Sequence, residues 1–426
     1  MSREYNSAGA AVDAVFKGLT FKAFCSQRII GTQDYLLASE TLKYRSTIET
    51  ILERSAVTAK ALDINSKGLL YVLVYELLFG KGKIRGGGQV KRKLGEVQST
   101  FHLVLADMMS TANATKHSDL LPEHVRVADN LRQYLRVNLL KVEKGGIKYQ
   151  KIIESVRGKC PDFVEDGHIP NLLVLPVKAP SFGEHELVKT GAIIIQDKAS
   201  CFPAQLLIDE WTRRGGKGDI IDACAAPGNK SLHLAALMKS GSGKVFAFDK
   251  NARRANLLQE RSNLCGGQDR VVVSNADFLS LNVSDYVGVT AILLDPSCSG
   301  SGVAKSIERT SLDKGNKEHD AARLQSLRTF QLQALLKSIT FPSVNCISYS
   351  TCSIHKEENE SVVHDFLASP EAKSQGWDVK APSRLTTWER RGVAFPGLTD
   401  SQRACLIRAA PEDGMIGFFV TLFCKT

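Results

Sequence analysis

The stretch IIDACAAPGNKS, Ile220–Ser231, has the pattern of a buried strand, a turn of small residues and the start of a helix. Small residues let the backbone approach a ligand closely, and the first turn of a helix presents N–H groups that lack intrahelical partners. A dinucleotide site would need the GxGxxG pattern, whereas this turn contains Pro227 and a single Gly228. The stretch therefore predicts an α/β fold with a ligand loop that does not hold a pyrophosphate.

The segments around this stretch repeat the same alternation. The apolar runs GDIIDACAA, GKVFAFD, RVVVSNAD, VTAILLDPS and VNCISYSTC are separated by helical or irregular stretches. This alternation is typical of a parallel, doubly wound sheet, in which ligands bind at the carboxyl ends of the strands. We predict a Rossmann-like catalytic domain over residues 188–426.

Two further regions precede this domain. Residues 1–123 are predicted to be helical, because IETILERSAVTAKALD and SKGLLYVLVYELLFGKG space their apolar residues three and four apart. The basic, glycine-rich segment Gly80–Gly95 between helical patterns is predicted to be a solvated loop. Residues 124–187 contain the predicted strand YLRVNLLKV, the predicted helix GGIKYQKIIESVRG and the β-rich run IPNLLVLPVKAP, which indicate a small α+β domain.

The composition limits the class of protein. The chain has 426 residues, of which 43% are hydrophobic and 23% charged, as in soluble globular proteins, and we expect no membrane association. The formal net charge of +10 favours an acidic partner such as nucleic acid. Ten cysteines without a CxxC pair favour reduced thiols and predict no metal site. Any cysteine chemistry must then come from individually activated thiols.

Carboxylates follow four consecutive predicted strands, at Asp222, Asp249, Asp277 and Asp295. One such residue alone would be read as a cap or turn aspartate. Asp249 lies where Rossmann-like folds place the acid that accepts from ribose hydroxyls, and Asp277 is suited to accept from an adenine amino group. Together the four predict a site for adenosine and ribose without a diphosphate, which matches S-adenosylmethionine.

Two cysteines occupy similar positions after the last two predicted parallel strands. Cys298 lies in LLDPSCSGSG and Cys352 in SYSTCSIHKEENE. Carbon 5 of cytosine is a poor nucleophile, but a thiolate that adds to carbon 6 makes carbon 5 reactive toward a methyl donor. Asp295 suits the group that stabilises charge at ring nitrogen N3, and Lys230 suits the amine that lowers the thiol pKa or takes its proton.

The motifs resemble, in order and spacing, those of the Nop/Sun (NSUN) family of RNA cytosine-C5 methyltransferases. The resemblance covers about residues 126–426 and rests on the segments DACAAPGNK, FAFDKNARR, NADF, LLDPSCSGSG, SYSTCSIHKEENE and GFFVTLF, preceded by IIIQDKASCFPAQLL. The Asn in APGNK, the PSCSGSG loop and the helical N-terminal extension resemble the NSUN5 and Rcm-type subgroup, which acts on large-subunit ribosomal RNA.

The resemblance implies a role for each matching residue. Cys352 would be the nucleophile, and Cys298 would assist release of the methylated product. The family's S-adenosylmethionine contacts fall on Cys224, Ala225, Ala226, Pro227, Gly228, Asn229, Lys230, Asp249, Arg254, Asp277 and Asp295, with Lys230 and Asp295 shared with catalysis. From its position alone, Arg254 would be read as a surface arginine. The family also implies a monomer that acts on ribosomal RNA. It implies that the protein is located in the nucleus and, within the nucleus, in the nucleolus.

Some interpretations remain open at the level of the sequence. A DNA cytosine-C5 methyltransferase would use Cys298 as its nucleophile and leave Cys352 without a role, and a non-catalytic ribosome assembly factor would need neither thiol. An exocyclic amino methyltransferase would carry a second proline and an aromatic residue where this chain has DPSCS. The segment Val303–Gln331 is basic enough to contact phosphates. His355 and Glu357 are predicted to brace the helix that follows, and Glu357 also to order the Cys352 loop.

Overall fold

The computed structural model describes residues 2–19, 21, 24–25, 31–123, 125–126, 131–303 and 317–425. The described residues form two compact units. One unit contains those of Met1–Asp129, and the other contains those of Asn130–Val303 and Glu318–Thr426.

The first unit is helical, as the spacing of apolar residues predicts. Its helices are Arg3–Phe16, Thr32–Lys43, Arg45–Arg54, Lys67–Leu78 and Gln89–Thr111, followed by the 3₁₀ turn His117–Leu120. The helix predicted across residues 48–63 ends at Arg54. The hydroxyl of Ser55 donates to the carbonyl of Ile51 at 2.7 Å, and Ala56 then adopts a φ of 54°, which is incompatible with a continuing helix. The predicted basic loop is also shorter, because the last helix begins at Gln89.

The second unit begins with a small antiparallel sheet. Its strands are β1 (Tyr134–Val137), β2 (Val164–Glu165), β3 (Leu172–Val174) and β4 (Ile193–Ile195), in the order β2-β3-β1-β4. The helices Ile147–Lys159 and Glu186–Lys189 lie between these strands in the chain. Strand β1 is shorter than predicted, because the chain turns at Asn138: its side-chain oxygen accepts from the N–H of Leu140 at 3.1 Å, and its carbonyl accepts from the N–H of Lys141 at 3.1 Å. These bonds replace the ladder that a longer strand would require.

The second sheet of this unit confirms the predicted Rossmann-like fold. Strands β5 (Asp219–Asp222), β6 (Val245–Phe248), β7 (Val271–Ser274), β8 (Val289–Leu294) and β9 (Cys346–Thr351) are parallel. Strands β10 (Trp377–Lys380), β11 (Ile407–Ala409) and β12 (Phe418–Lys425) complete it with antiparallel pairs, in the order β10-β12-β9-β8-β5-β6-β7 with β11 beside β12. The alternation of strands and helices does not reveal that β12 pairs with β9.

Helices cover both faces of this sheet. They are Lys198–Arg213, Asn229–Leu237, Ala252–Leu264, Lys317–Ser338, Glu360–Ala368, Pro370–Ser374 and Asp400–Cys405, with 3₁₀ turns at Phe278–Ser280, Val283–Tyr286 and Pro411–Asp413. Neighbouring strand residues face opposite cores: Ile220 and Leu293 pack in one cluster, and Ile221 and Ile292 pack in the other. Burial on both faces explains why these strands are continuous apolar runs. Within the described parts of the chain, no helix has the length and apolar character needed to span a membrane.

Candidate active site

The strand order brings the predicted site residues to one edge of the parallel sheet. Strand β8 lies between β5 and β9, and β6 lies on the other side of β5. Because these strands are parallel, the residues at their carboxyl ends meet at the same edge. Asp222 ends β5, Asp249 follows β6, Asp295 follows β8 and Cys352 follows β9.

The loop Cys224–Lys230 packs closely against neighbouring elements. The N–H of Ala225 donates to the carbonyl of Phe248 at 2.8 Å, and the N–H of Gly228 donates to that of Ala225 at 2.8 Å. Gly228 has a φ of 104°, and a Cβ at this position would overlap Cδ1 of Leu258. Glycine is therefore required here both by backbone conformation and by space.

Asp222 is a buried carboxyl group at the base of this loop. It is 1% exposed, accepts a hydrogen bond from the hydroxyl of Ser231 at 2.6 Å, and its Oδ1 has no partner among the described residues. Burial raises the pKa of Asp222 from 3.8 to about 7, against the opposing effect of the Ser231 hydrogen bond. Between pH 3.8 and about 7, the folded protein therefore keeps a proton on Asp222 that the unfolded chain releases.

Asp222→Asn is expected to change how stability depends on pH. Because the pKa of Asp222 is higher in the folded state, its contribution lowers the wild-type unfolding free energy as the pH rises from 3.8 to about 7. The variant should lose this decrease, which is on the order of a few kcal/mol, since one pKa unit corresponds to about 1.4 kcal/mol. Denaturant unfolding of both proteins across this pH range measures the difference. The exposed Asp162→Asn serves as the control, and a difference between Asp222→Asn and wild type that is independent of pH would contradict the assignment.

Arg254 is exposed, as its position alone suggests, but its guanidinium also reaches the loop Cys224–Lys230. Its Nη2 lies 2.7 Å from the carbonyl oxygen of Ala226 and 3.2 Å from Oδ2 of Asp249. Asp249 is 5% exposed and also accepts from the N–H of Asn251 at 3.0 Å. Arg254 therefore connects the end of β6 with the loop after β5.

Asp277 lies at the same edge of the sheet, just beyond β7. Its Oδ1 accepts from the N–H of Leu279 at 3.0 Å and caps the 3₁₀ turn Phe278–Ser280. The side chain of Asn275, on the same loop, donates to the carbonyl of Asp249 at 2.9 Å. The Asp277 carboxylate thus has a capping role here, and its predicted contact with adenine stays a prediction.

Lys230 and Asp295 form an ion pair at the end of β8. Nζ of Lys230 lies 2.8 Å from Oδ2 of Asp295, and Oδ1 of Asp295 accepts from the hydroxyl of Ser350 at 2.5 Å. Burial acts to lower the pKa of Lys230, but the charge and hydrogen bond of Asp295 outweigh it, so the pKa is raised. Lys230 is therefore an ammonium ion at neutral pH. Of the two roles predicted for it, this favours lowering the thiol pKa over taking the thiol proton.

The two predicted thiols lie side by side. The Sγ atoms of Cys298 and Cys352 are 3.2 Å apart, and the two side chains are partly buried. The hydrogen bond with Cys352 raises the pKa of Cys298, and burial raises it further. Cys298 is thus a thiol at neutral pH, and an S–H bond that it donates would stabilise a thiolate on Cys352.

The two cysteine loops and β12 share backbone contacts. The N–H of Gly302 donates to the carbonyl of Cys352 at 2.8 Å, and the N–H of Gly417 donates to the carbonyl of Gly302 at 2.9 Å. A Cβ on Gly302 would overlap the backbone of Gly417. The hydroxyl of Ser301 lies 3.0 Å from that of Ser353, which joins the loops a second time.

Sequence reasoning missed the acidic residue that orders these loops. Glu357 is exposed, whereas the neighbouring Glu358 is fully buried and accepts from the N–H of Ser299 at 2.9 Å. Three glutamates occur in HKEENE, of which Glu358 and Glu360 are both fully buried, and Glu360 pairs with Arg408 instead of a cysteine loop. The brace therefore acts on the Cys298 loop, and the prediction of Glu357 for this role is not supported by its exposed position.

Sequence reasoning also missed how the small sheet of β1–β4 contacts the loop Cys224–Lys230. Arg136 in β1 is 1% exposed, and its Nη2 donates to the carbonyl of Asn229 at 3.3 Å. Burial lowers the pKa of Arg136 to about 10. Arg261 donates to the side-chain oxygen of Asn229 at 2.5 Å. The Asn in APGNK thus has two guanidinium partners, and the motif alone gives no sign of either.

Comparison with known proteins places this architecture in a class. The fold is that of Rossmann-like, S-adenosylmethionine-dependent methyltransferases, and residues 214–423 match the family model described as 16S rRNA methyltransferase RsmB/F. A solved methyltransferase homolog protein from Pyrococcus horikoshii has the same fold, with a TM-score of 0.54 at 20% identity over 88% of this chain and 98% of that one. Residues 33–121 match the N-terminal domain of NOL1/NOP2/Sun domain family member 5.

Similarity over most of the chain identifies the family. The chain is 38% identical to the 28S rRNA (cytosine-C(5))-methyltransferase of Mus musculus, over 92% of this chain and 83% of the mouse protein. It is 35% identical to the 25S rRNA (cytosine-C(5))-methyltransferase rcm1 of Schizosaccharomyces pombe, over 93% of this chain and 85% of the yeast protein. The chain belongs to the Nop/Sun (NSUN) family of RNA cytosine-C5 methyltransferases. The family predicted from the motifs is confirmed.

Proposed function

We propose that this chain methylates carbon 5 of a cytosine in large-subunit ribosomal RNA through a transient bond between Cys352 and carbon 6. The observation that carries the proposal is the pair of thiols, 3.2 Å apart, beside an edge of the sheet where Lys230 and Asp295 form an ion pair at 2.8 Å. The names of the mouse and yeast relatives support the choice of RNA. Two thiols are needed because one forms the adduct and the other assists in breaking it.

The residues at the edge of the sheet fit S-adenosylmethionine, which supplies an electrophilic methyl group when bound. The loop Cys224–Lys230 approaches closely because Gly228 has no Cβ. The buried Asp249 carboxylate is suited to ribose hydroxyls, with Arg254 fixing its position. Asp277 and Asp295 complete the set on the next strand ends. The unpartnered Oδ1 of Asp222 shows that this edge retains unused hydrogen-bonding capacity.

Cys352 attacks carbon 6 of the cytosine ring as a thiolate. The Lys230 ammonium acts on it electrostatically, and Cys298 is positioned to donate an S–H bond to it. Negative charge then develops toward ring nitrogen N3, and Asp295 stabilises it by passing on a proton that it takes from the Lys230 ammonium. Carbon 5 becomes enamine-like and accepts the methyl group.

Release requires that carbon 5 lose its hydrogen as a proton to water, that the electron pair left behind form the C5–C6 double bond, and that Cys352 leave carbon 6 as a thiolate. Cys298 is placed to assist, because its sulfur lies 3.2 Å from that of Cys352. The target base must leave its stack, since sulfur and the methyl donor approach it from different sides. The small sheet of β1–β4 is suited to position the RNA, with Arg136 extending from it to the cofactor loop.

The proposal is tested by incubating the purified protein with S-adenosylmethionine and large-subunit ribosomal RNA. We expect 5-methylcytosine to form at a specific position, detected by nucleoside mass spectrometry and located by bisulfite sequencing. Matched RNA from cells with and without the gene provides the substrate and the in vivo comparison. Methylation of DNA but not RNA, or no methylation of RNA that lacks the modification, would contradict the proposal.

The proposed substrate implies where and how the protein works. Ribosomal RNA is assembled in the nucleolus, so we assign the protein to the nucleus and to that compartment, acting as a monomer. We further propose the division into residues 1–123, 124–187 and 188–426 as N-terminal region, RNA-positioning domain and catalytic domain. Strand β4 lies beyond residue 187 although it pairs with β1, so the RNA-positioning domain extends to it. Residues 304–316 of the basic segment Val303–Gln331 lie outside the described residues, and the rest of it belongs mainly to the helix Lys317–Ser338; phosphate contacts there stay a prediction.

A further inference from the structure

Glu358 contacts the backbone after Cys298 directly and holds the Gln331 amide that contacts the backbone before it. Its Oε1 accepts from the N–H of Ser299 at 2.9 Å and from the side-chain amide of Gln331 at 3.0 Å. The same Gln331 amide donates to the carbonyl of Ser297 at 3.1 Å. The residues before and after Cys298 are therefore held by one carboxylate and one amide, and the cysteine itself is left to face its partner.

Asn359 holds the other cysteine in the same way. Its Oδ1 accepts from the hydroxyl of Thr351 at 2.6 Å, and its Nδ2 donates to the carbonyl of Ser353 at 2.9 Å. Thr351 and Ser353 are the neighbours of Cys352 in the chain. Two consecutive residues thus fix the two cysteine loops, one loop each.

The turn that carries both side chains is fully buried. Glu358 and Asn359 are each 0% exposed, and the carbonyl of Glu358 accepts from the Tyr349 hydroxyl at 2.6 Å. Glu358 makes no ion pair with a described residue, and its Oε2 has no hydrogen-bond partner among them.

We propose that Glu358 and Asn359 are positioning residues that set the two sulfur atoms against each other and divide the two covalent steps between them. Glu358, with Gln331, orients Cys298 for release of the product. Asn359 orients Cys352 for attack on carbon 6. The inference rests on the proposed function, because it gives each thiol a separate step.

The two residues are expected to have opposite effects on the covalent protein–RNA adduct. Glu358→Ala should slow release, so the ratio of trapped adduct to methylated product rises about tenfold, the size expected from losing buried hydrogen bonds. Asn359→Ala should slow attack, so the rate of adduct formation in a single turnover falls about tenfold and no adduct accumulates. Denaturing electrophoresis of quenched reactions measures adduct, and 5-methylcytosine measures product.

The design includes controls for charge, position and folding. Glu358→Gln keeps an oxygen acceptor for Ser299 and Gln331, so it should restore the wild-type ratio. Glu357→Ala removes the same side chain at the neighbouring exposed position and should change neither step. Gln331→Ala leaves Glu358 in place and should raise the ratio as Glu358→Ala does, which tests the Cys298 arm even if Glu358→Ala does not fold. Asn359→Asp keeps the oxygen that accepts from Thr351 but loses the amide that donates to Ser353. It should slow adduct formation as Asn359→Ala does, which tests the role of Asn359 even if Asn359→Ala does not fold.

Equal losses of adduct and product in the Glu358 and Asn359 variants, or lower melting temperatures without a change in the ratio, would overturn the proposal. Wild-type protein and Cys298→Ala are run in parallel. If the wild type forms no 5-methylcytosine, the proposed function fails. If the wild type is active and both Glu358→Ala and Gln331→Ala leave the ratio unchanged, only the positioning role fails.

Discussion

Cys352→Ala is expected to abolish 5-methylcytosine formation, with a loss of at least about 1000-fold, because an alanine side chain cannot make the proposed bond to carbon 6. The sulfur of Cys352 is the one that the Lys230 ammonium and the Cys298 thiol are placed to stabilise as a thiolate. Methyl transfer to purified ribosomal RNA, measured with labelled S-adenosylmethionine, tests this. Binding of the RNA should be nearly unchanged, since the substitution removes a single sulfur atom.

The control for this substitution is Cys405→Ala, which removes a thiol from the helix Asp400–Cys405 and should leave methylation intact. Full activity of Cys352→Ala would overturn the assignment and favour Cys298 as the nucleophile, as in DNA cytosine-C5 methyltransferases. The two schemes therefore differ in a single measurement.

Cys298→Ala is expected to leave attack possible and to block release. The protein should accumulate as a covalent complex with RNA, visible as a band of lower mobility on a denaturing gel, while turnover falls by on the order of 100-fold or more. The physical reason is that the Cys298 sulfur lies 3.2 Å from the Cys352 sulfur, where it can act on the adduct once the adduct has formed.

The double variant Cys298→Ala/Cys352→Ala provides the matching control, because it lacks the sulfur that forms the bond. It should show no covalent band. A band that persists in the double variant would place the adduct on another residue, and no band in Cys298→Ala alone would reverse the proposed order of the two thiols.

Much of the catalytic fold follows from local patterns. Strands buried on both faces are continuous apolar runs, so β5 to β9 are visible in the sequence, and so is the edge at which Asp222, Asp249, Asp295 and Cys352 meet. The pairing of β12 with β9 is not visible, because an antiparallel partner that arrives late in the chain leaves no mark on the periodicity of either strand. Pairing between distant strands is a property of the folded chain.

The site was predictable where one residue type performs one job. Cysteines at strand ends and a carboxylate after β8 identify the chemistry from the residue types alone. The supporting contacts were not predictable, since Glu358 and Glu357 are identical side chains in one turn, and only their burial separates them. Arg136 lies in the strand predicted from YLRVNLLKV, and nothing in that pattern shows that its guanidinium turns inward to Asn229, a partner 93 positions away. Such contacts depend on packing between elements that the sequence does not place side by side.

The contact between Gly302 and Gly417 has a consequence for how variants of this protein should be interpreted. Gly302 accepts from Gly417 and donates to Cys352, with no space for a methyl group between the two glycines. Alanine at either position would look harmless by size, hydropathy and distance along the chain. It would nevertheless displace the main chain that carries Cys352. A substitution that looks neutral at either glycine is therefore expected to lower activity as a substitution in the candidate active site would.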